Sequence, residues 1–134
     1  MAGGKKAVDS GHALKKEVLV LVRSLGLKAD DEFKLGRRIW GSGRHIDVIA
    51  VQEGTRKMLG IECKYQGVAG TAQEKIVATI KDIDTWPIRG VVVFAGEGFT
   101  NDFKTYLLST GKAIEIEDLE PWLRLYFGLD LDEE

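Results

Sequence analysis

At 134 residues, with 44% hydrophobic and 30% charged side chains and only 2 prolines, the chain has the profile of one compact domain, not of a disordered segment. No apolar run approaches the ~18 residues of a membrane helix, and Met1 to Lys6 leads into no signal-peptide core, so the expectation is a soluble, cytoplasmic protein with no membrane partner. The net charge of −2 conceals an uneven spread: from Glu115 onward there are 8 acidic residues against Arg124 alone, which leaves residues 1–114 with 18 basic and 13 acidic side chains, a body basic enough to meet nucleic acid.

Residues 1–10 have no periodicity and read as a loose basic arm, with Ser10 placed to cap the helix that follows. From His12 to Leu25 the residues Leu14, Val18, Leu21, Val22 and Leu25 recur at helical spacing. At 100° per residue Glu17 falls on the margin of that stripe, so its carboxylate points along the edge of the core. Lys34 to Trp40 reads as a first strand, Gly41-Ser42-Gly43 as a loop, and His45 to Gln52 as a second strand. Lys57 to Tyr65 reads as a third, joined to the second by a two-residue turn with Gly54 at its first central position. A helix spans about Gly70 to Asp84, packing through Ala72, Ile76, Val77, Ile80 and Ile83, and Trp86-Pro87 stops it. Gly90 to Ala95 has the look of a strand covered on both faces. Thr100 caps a helix to about Ser109, Ala113 to Ile116 is a short strand, and Leu119 to Phe127 is a last helix ending at Gly128. The order α-β-β-β-α-β-α-β-α predicts an α/β domain over residues 11–128, a mixed central sheet flanked by helices, followed by an acidic tail at 129–134.

The chemistry concentrates on the hairpin. With the turn at Gly54 and Thr55, facing residues sum to 109, which sets Asp47 opposite Glu62 with Cβ atoms about 5 Å apart. Lys64 lies two residues further on the same face, about 7 Å from Glu62. Like charges in that position are destabilising, the more so beside Val48, Ile49 and Ile61, and a divalent cation between them removes the conflict. Cys63 has no internal disulfide partner, and with His12 and His45 as the only histidines neither a Cys/His zinc site nor a three-histidine catalytic site is available. A metal here must be held by oxygen: Asp47, Glu62, the carbonyl of Cys63 and water make a site suited to Mg²⁺ or Mn²⁺.

Ile46-Asp47 with Gly60-Ile61-Glu62-Cys63-Lys64 resembles the PD-(D/E)XK nuclease superfamily, Ile46 standing at the loosely held proline position. DVIAV with GIECK is similar to archaeal Holliday junction resolvases and Mrr-type restriction endonucleases, and GEGFTNDF followed by AIEIEDL is similar to the C-terminal half of the Mrr type. The resemblance covers about residues 12–127. It implies a restriction-endonuclease-like fold and a metal-dependent DNA endonuclease in which Asp47 and Glu62 bind the ion and Lys64 assists the nucleophilic water. Glu17 and Gln73 match accessory positions on the preceding and following helices. A Holliday junction resolvase, or a catalytically silent subunit that only binds nucleic acid or a partner protein, are the alternatives.

Each residue also has a plainer reading. Alternating charges on a strand commonly mark a solvated face, Glu17 has Lys15, Lys16 and Arg23 as surface ion-pair partners, and Gln73 inside an apolar stripe also suits a hydrogen bond to the sheet. Arg37, Arg38, Arg44 and His45 flank the entry to the strand of Asp47, where they are placed either to contact DNA phosphates or to decorate a charged edge strand. Gly96-Glu97-Gly98 lacks a GxxxxGK[ST] context, so no nucleotide cofactor is expected. Paired cuts call for two sites, and Trp122, Phe127, Leu129 and Leu131 are the candidate surface of a homodimer.

Overall fold

The computed structural model describes residues 8–35, 44–68 and 73–131. Its elements, in chain order, are α1 (Gly11–Ser24), β1 (Lys28–Leu35), β2 (Arg44–Gln52), β3 (Lys57–Tyr65), α2 (Gln73–Ile83), β4 (Arg89–Ala95), α3 (Asn101–Ser109), β5 (Ala113–Glu115), a 3₁₀ turn (Ile116–Asp118) and α4 (Leu119–Phe127). This is the order expected from the sequence. One mixed sheet runs β1-β2-β3-β4-β5: the first three strands are antiparallel, as hairpin connections allow, and β3, β4 and β5 are parallel, joined by crossover helices.

Two cores sandwich the sheet. On one face Leu14, Val18 and Val22 of α1 and Leu119, Leu123 and Phe127 of α4 pack on Val48, Ala50, Leu59, Ile61, Val91 and Val93. On the other, Ile76, Ile80 and Ile83 of α2 and Leu107 of α3 pack with Ile49, Val92 and Phe94. The alternation within β4 explains its unbroken apolar run, since Val91 and Val93 face one core while Val92 and Phe94 face the other. Both crossover helices therefore cover the same face.

Local chemistry sets the ends of the elements. The Ala13 N–H donates to the Ser10 side chain at 3.0 Å, and the Phe103 N–H donates to Thr100 Oγ1 at 3.1 Å, so both expected caps are present. Gly128 takes the left-handed conformation (φ 69°) that closes α4. No helix among the described residues is long and apolar enough to cross a membrane.

The first strand corrects the sequence reading. It begins at Lys28, six residues before the expected Lys34, and residues 36–43, with the Gly41-Ser42-Gly43 loop, lie outside the described residues. The reason is its edge position: Leu27 and Ala29 are buried under α1 while Asp30 and Asp31 are exposed, and charges on an edge strand erase the apolar signal. The dimer expectation also changes. Phe127 is buried in its own core and Trp122 and Leu129 pack against it, which leaves Leu131, with Leu125, as the exposed apolar residues of that end.

Trp86 lies across the start of β3 and β4, where two glycines make room for it. A Cβ on Gly60 would come within 2.7 Å of the indole, and one on Gly90 within 2.5 Å. Gly90→Ala is expected to destabilise the fold by about 1–3 kcal/mol through overpacking, read as a lower urea midpoint. An unchanged midpoint would show that the indole has somewhere else to go.

Candidate active site

The β2–β3 ladder pairs Val48 with Ile61, Ile49 with Gly60, Ala50 with Leu59, Val51 with Met58 and Gln52 with Lys57, which is the register expected. The turn differs from expectation. Four residues, 53–56, connect the strands, and Arg56 (φ 64°) rather than Gly54 takes the left-handed conformation. The Arg56 N–H donates to the Gln52 carbonyl at 2.7 Å, and Thr55 Oγ1 receives the Lys57 N–H at 3.1 Å.

At the other end the ladder stops at Val48–Ile61, and the next backbone donor of β3 meets a side chain. The Cys63 N–H donates to Asp47 Oδ2 at 2.8 Å. The two-residue alternation of β2 is interrupted at the same place, for Ile46 joins Ile49 and Ile76 in the α2-side core while Val48 faces α1. Asp47 is thus held at the fork where the two strands part, its carboxylate fixed by the chain that carries Glu62 and Lys64.

Asp47 and Glu62 come together as an acidic pair. Burial pushes the Glu62 carboxyl up to about 8, reinforced by the Asp47 charge and by hydrogen bonding between the two carboxyls; Lys64 opposes the rise and Asp82 adds to it. Two adjacent carboxyls that retain a proton near neutrality are the donor set a dication occupies in place of that proton. Burial, with the charges of Asp47 and Glu62, likewise raises the Cys63 thiol, so Cys63 stays a neutral thiol and its available oxygen is the backbone carbonyl. Among the described residues no group of three or more His, Cys, Asp or Glu side chains gathers to hold a metal. Two carboxylates, a carbonyl and water are a poor zinc site and a fitting one for Mg²⁺ or Mn²⁺.

The other expected residues, where described, lie on the elements around this point. Glu17 is half-buried on α1 and Gln73 half-buried at the start of α2, helices that cover opposite faces of the sheet. His45 is exposed near the start of β2 and pairs across the ladder with Lys34; Arg44 opens the same strand, and Arg37 and Arg38 lie outside the described residues. Two groups were not anticipated. Lys15 lies 3.8 Å from Asp31 Oδ2 with its side chain 19% exposed, and its charge reaches Cys63. Asp82 receives the Trp86 Nε1–H at 3.3 Å and its charge reaches Glu62. Lys15 is adjacent to Leu14 of the buried stripe, the one sequence signal that placed it near the core.

Residues 6–120 match the sequence pattern of a PD-(D/E)XK nuclease superfamily domain, a span that contains every element from α1 to β5 and the whole acidic pair. The chain belongs to the PD-(D/E)XK nuclease superfamily. The mixed sheet flanked by helices is the restriction-endonuclease-like fold of that superfamily. The crystal structure of a protein of unknown function, AF1548, is similar in fold, with a TM-score of 0.52 and 18% identity over 75% of this chain. The match spans 55% of that protein's length. No curated protein matches the chain.

Proposed function

We propose that this PD-(D/E)XK domain is a metal-dependent DNA endonuclease of restriction or repair type. The observation that carries the reading is the acidic pair: Asp47, anchored on the Cys63 amide, and Glu62, whose carboxyl retains its proton up to about 8, with Lys64 two residues beyond. Asp47, Glu62 and the Cys63 carbonyl would hold Mg²⁺ or Mn²⁺, which when bound supplies Lewis-acid polarisation of the phosphodiester and a more acidic water.

The chain's own groups do the rest. Asp47 and Glu62 bring to one point the negative charge that would hold the ion. Lys64 orients the water whose oxygen bonds to phosphorus and offsets the charge that builds on the phosphoryl oxygens as the ester P–O bond breaks. Glu17 and Gln73 support the site from the two flanking helices. Arg37, Arg38, Arg44 and His45 bind backbone phosphates, an assignment supported by their closeness in sequence to Asp47 and by the basic balance of residues 1–114. A homodimer would supply the two sites that paired incisions need.

The test is cleavage of plasmid, branched and single-stranded DNA with Mg²⁺ or Mn²⁺ against chelator. Paired cuts at a junction would mark a resolvase, and binding without any cut a silent subunit. Lys64→Ala is expected to lower turnover about 100-fold while calorimetric Mn²⁺ affinity is unchanged, because the ammonium acts on water and phosphate and not on the ion. An equal loss of Mn²⁺ affinity would contradict that role.

A further inference from the structure

Beyond the acidic pair, the strand that carries it is tied down at its far end. Gln66, one residue past β3, is 7% exposed, and its backbone and side chain both bond into the loop that leaves β4. Its N–H donates to the Ala95 carbonyl at 3.0 Å, its carbonyl receives the Gly98 N–H at 2.8 Å, and its side-chain Nε2 donates to the Gly98 carbonyl at 2.8 Å. Gln66 and Gly98 thus exchange two hydrogen bonds, one through the backbone and one through the amide side chain.

The loop is built around this contact. Gly96 has φ +113°, and a Cβ there would fall 2.1 Å from the Gln66 carbonyl oxygen; a Cβ on Gly98 would fall 2.3 Å from the Val68 carbonyl oxygen. The next residue, Phe99, is buried and packs on Phe94 with ring centroids 5.1 Å apart. Phe94 is the ladder partner of Lys64 on β4, and parallel partners share a face of the sheet. The contact therefore meets Lys64 twice, through the backbone two residues on and through the aromatic neighbour beside it.

Gln66 also carries a cost. Its Oε1 is the one buried side-chain nitrogen or oxygen among the described residues that lacks a hydrogen-bond partner. An apolar side chain of similar length would avoid that cost and still fill the space. What it would lose is the bond from Nε2 to Gly98.

We propose that Gln66 is a positioning residue for catalysis: by locking the end of β3 to the Gly96–Gly98 loop it holds Lys64 in register beside Glu62. The inference rests on the nuclease reading above for its kinetic consequence, and on the fold alone for its structural one. Strand ends without such a tie fray, and misplacing a catalytic group by about 1 Å costs on the order of 100-fold in rate.

The experiment compares the full chain with Gln66→Met, and with Gly98→Ala, which pushes the same contact apart while leaving the amide in place. Both are expected to lower kcat by roughly 10- to 100-fold, with KM and calorimetric Mn²⁺ affinity unchanged. Gln66→Met is expected to lower Tm by about 5 °C at most, since removal of the unpartnered Oε1 offsets part of the cost of leaving the Gly98 carbonyl without its Nε2 donor. Hydrogen exchange should quicken at the amides of residues 64–66 and stay unchanged at 59–63. Unchanged kcat, or a fall in kcat without the local rise in exchange, would overturn the proposal. A loss of Tm with exchange quickening across the whole sheet would make Gln66 merely structural. Should the unaltered chain cut no DNA, the nuclease reading fails, and the exchange measurement by itself decides whether Gln66 holds the Lys64 strand.

Discussion

Asp47→Ala and Glu62→Ala are each expected to abolish Mg²⁺-dependent cleavage, a fall of about 1,000-fold or more, because each removes half of the charge that would hold the ion. Their effects on stability should diverge. Glu62→Ala removes a carboxyl whose ionisation is opposed by burial and by Asp47, so the metal-free protein should be as stable as before or more so near pH 8. Asp47→Ala strands the Cys63 N–H, which donates to Asp47 Oδ2 at 2.8 Å, and should cost about 1–3 kcal/mol. Plasmid cleavage and denaturant melts in chelator read the two effects separately. Full activity in either variant would remove the metal-site assignment, and an Asp47→Ala protein as stable as the parent would remove the fork geometry.

The acidic pair was legible before the structure because register needs only a centre of symmetry. Any even-numbered loop centred between Gly54 and Thr55 pairs the same residues, so the contact survived an incorrect turn: the connection is four residues long and depends on the backbone of Arg56, which no periodicity reveals. β4 and α4 were legible for other reasons, the one as an apolar run between two cores and the other through Gly128 in the left-handed conformation. β1 was displaced because Lys28, Asp30 and Asp31 look like loop residues unless the edge of a sheet is already in view. The Gln66–Gly98 contact was illegible in principle. It joins residues 32 apart at the ends of two parallel strands, and each looks like ordinary loop sequence until the crossover brings them together.

In the metal-free protein, stability should fall as pH rises through the range set by Glu62. Its carboxyl has an ordinary value of 4.5 when exposed in the unfolded chain and about 8 in the fold. Below 4.5 both states hold the proton, and the native state bears no penalty. Between the two values the unfolded chain has lost the proton while the fold retains it, so each step up in pH favours unfolding; above about 8 both are ionised and the effect levels off. Binding of a dication displaces that proton, so Mn²⁺ affinity should rise over the same window by up to about tenfold per pH unit. Glu62→Gln removes the titrating group with little change of shape. Thermal melts in chelator from pH 5 to about 8.5 should therefore slope more steeply for the parent chain than for Glu62→Gln. Calorimetric Mn²⁺ titrations in two buffers of different ionisation enthalpy should count close to one proton released below pH ~7. Parallel melting curves for the two proteins would mean that Glu62 ionises as freely in the fold as in the unfolded chain, and that the acidic pair stores no conflict for a metal to relieve.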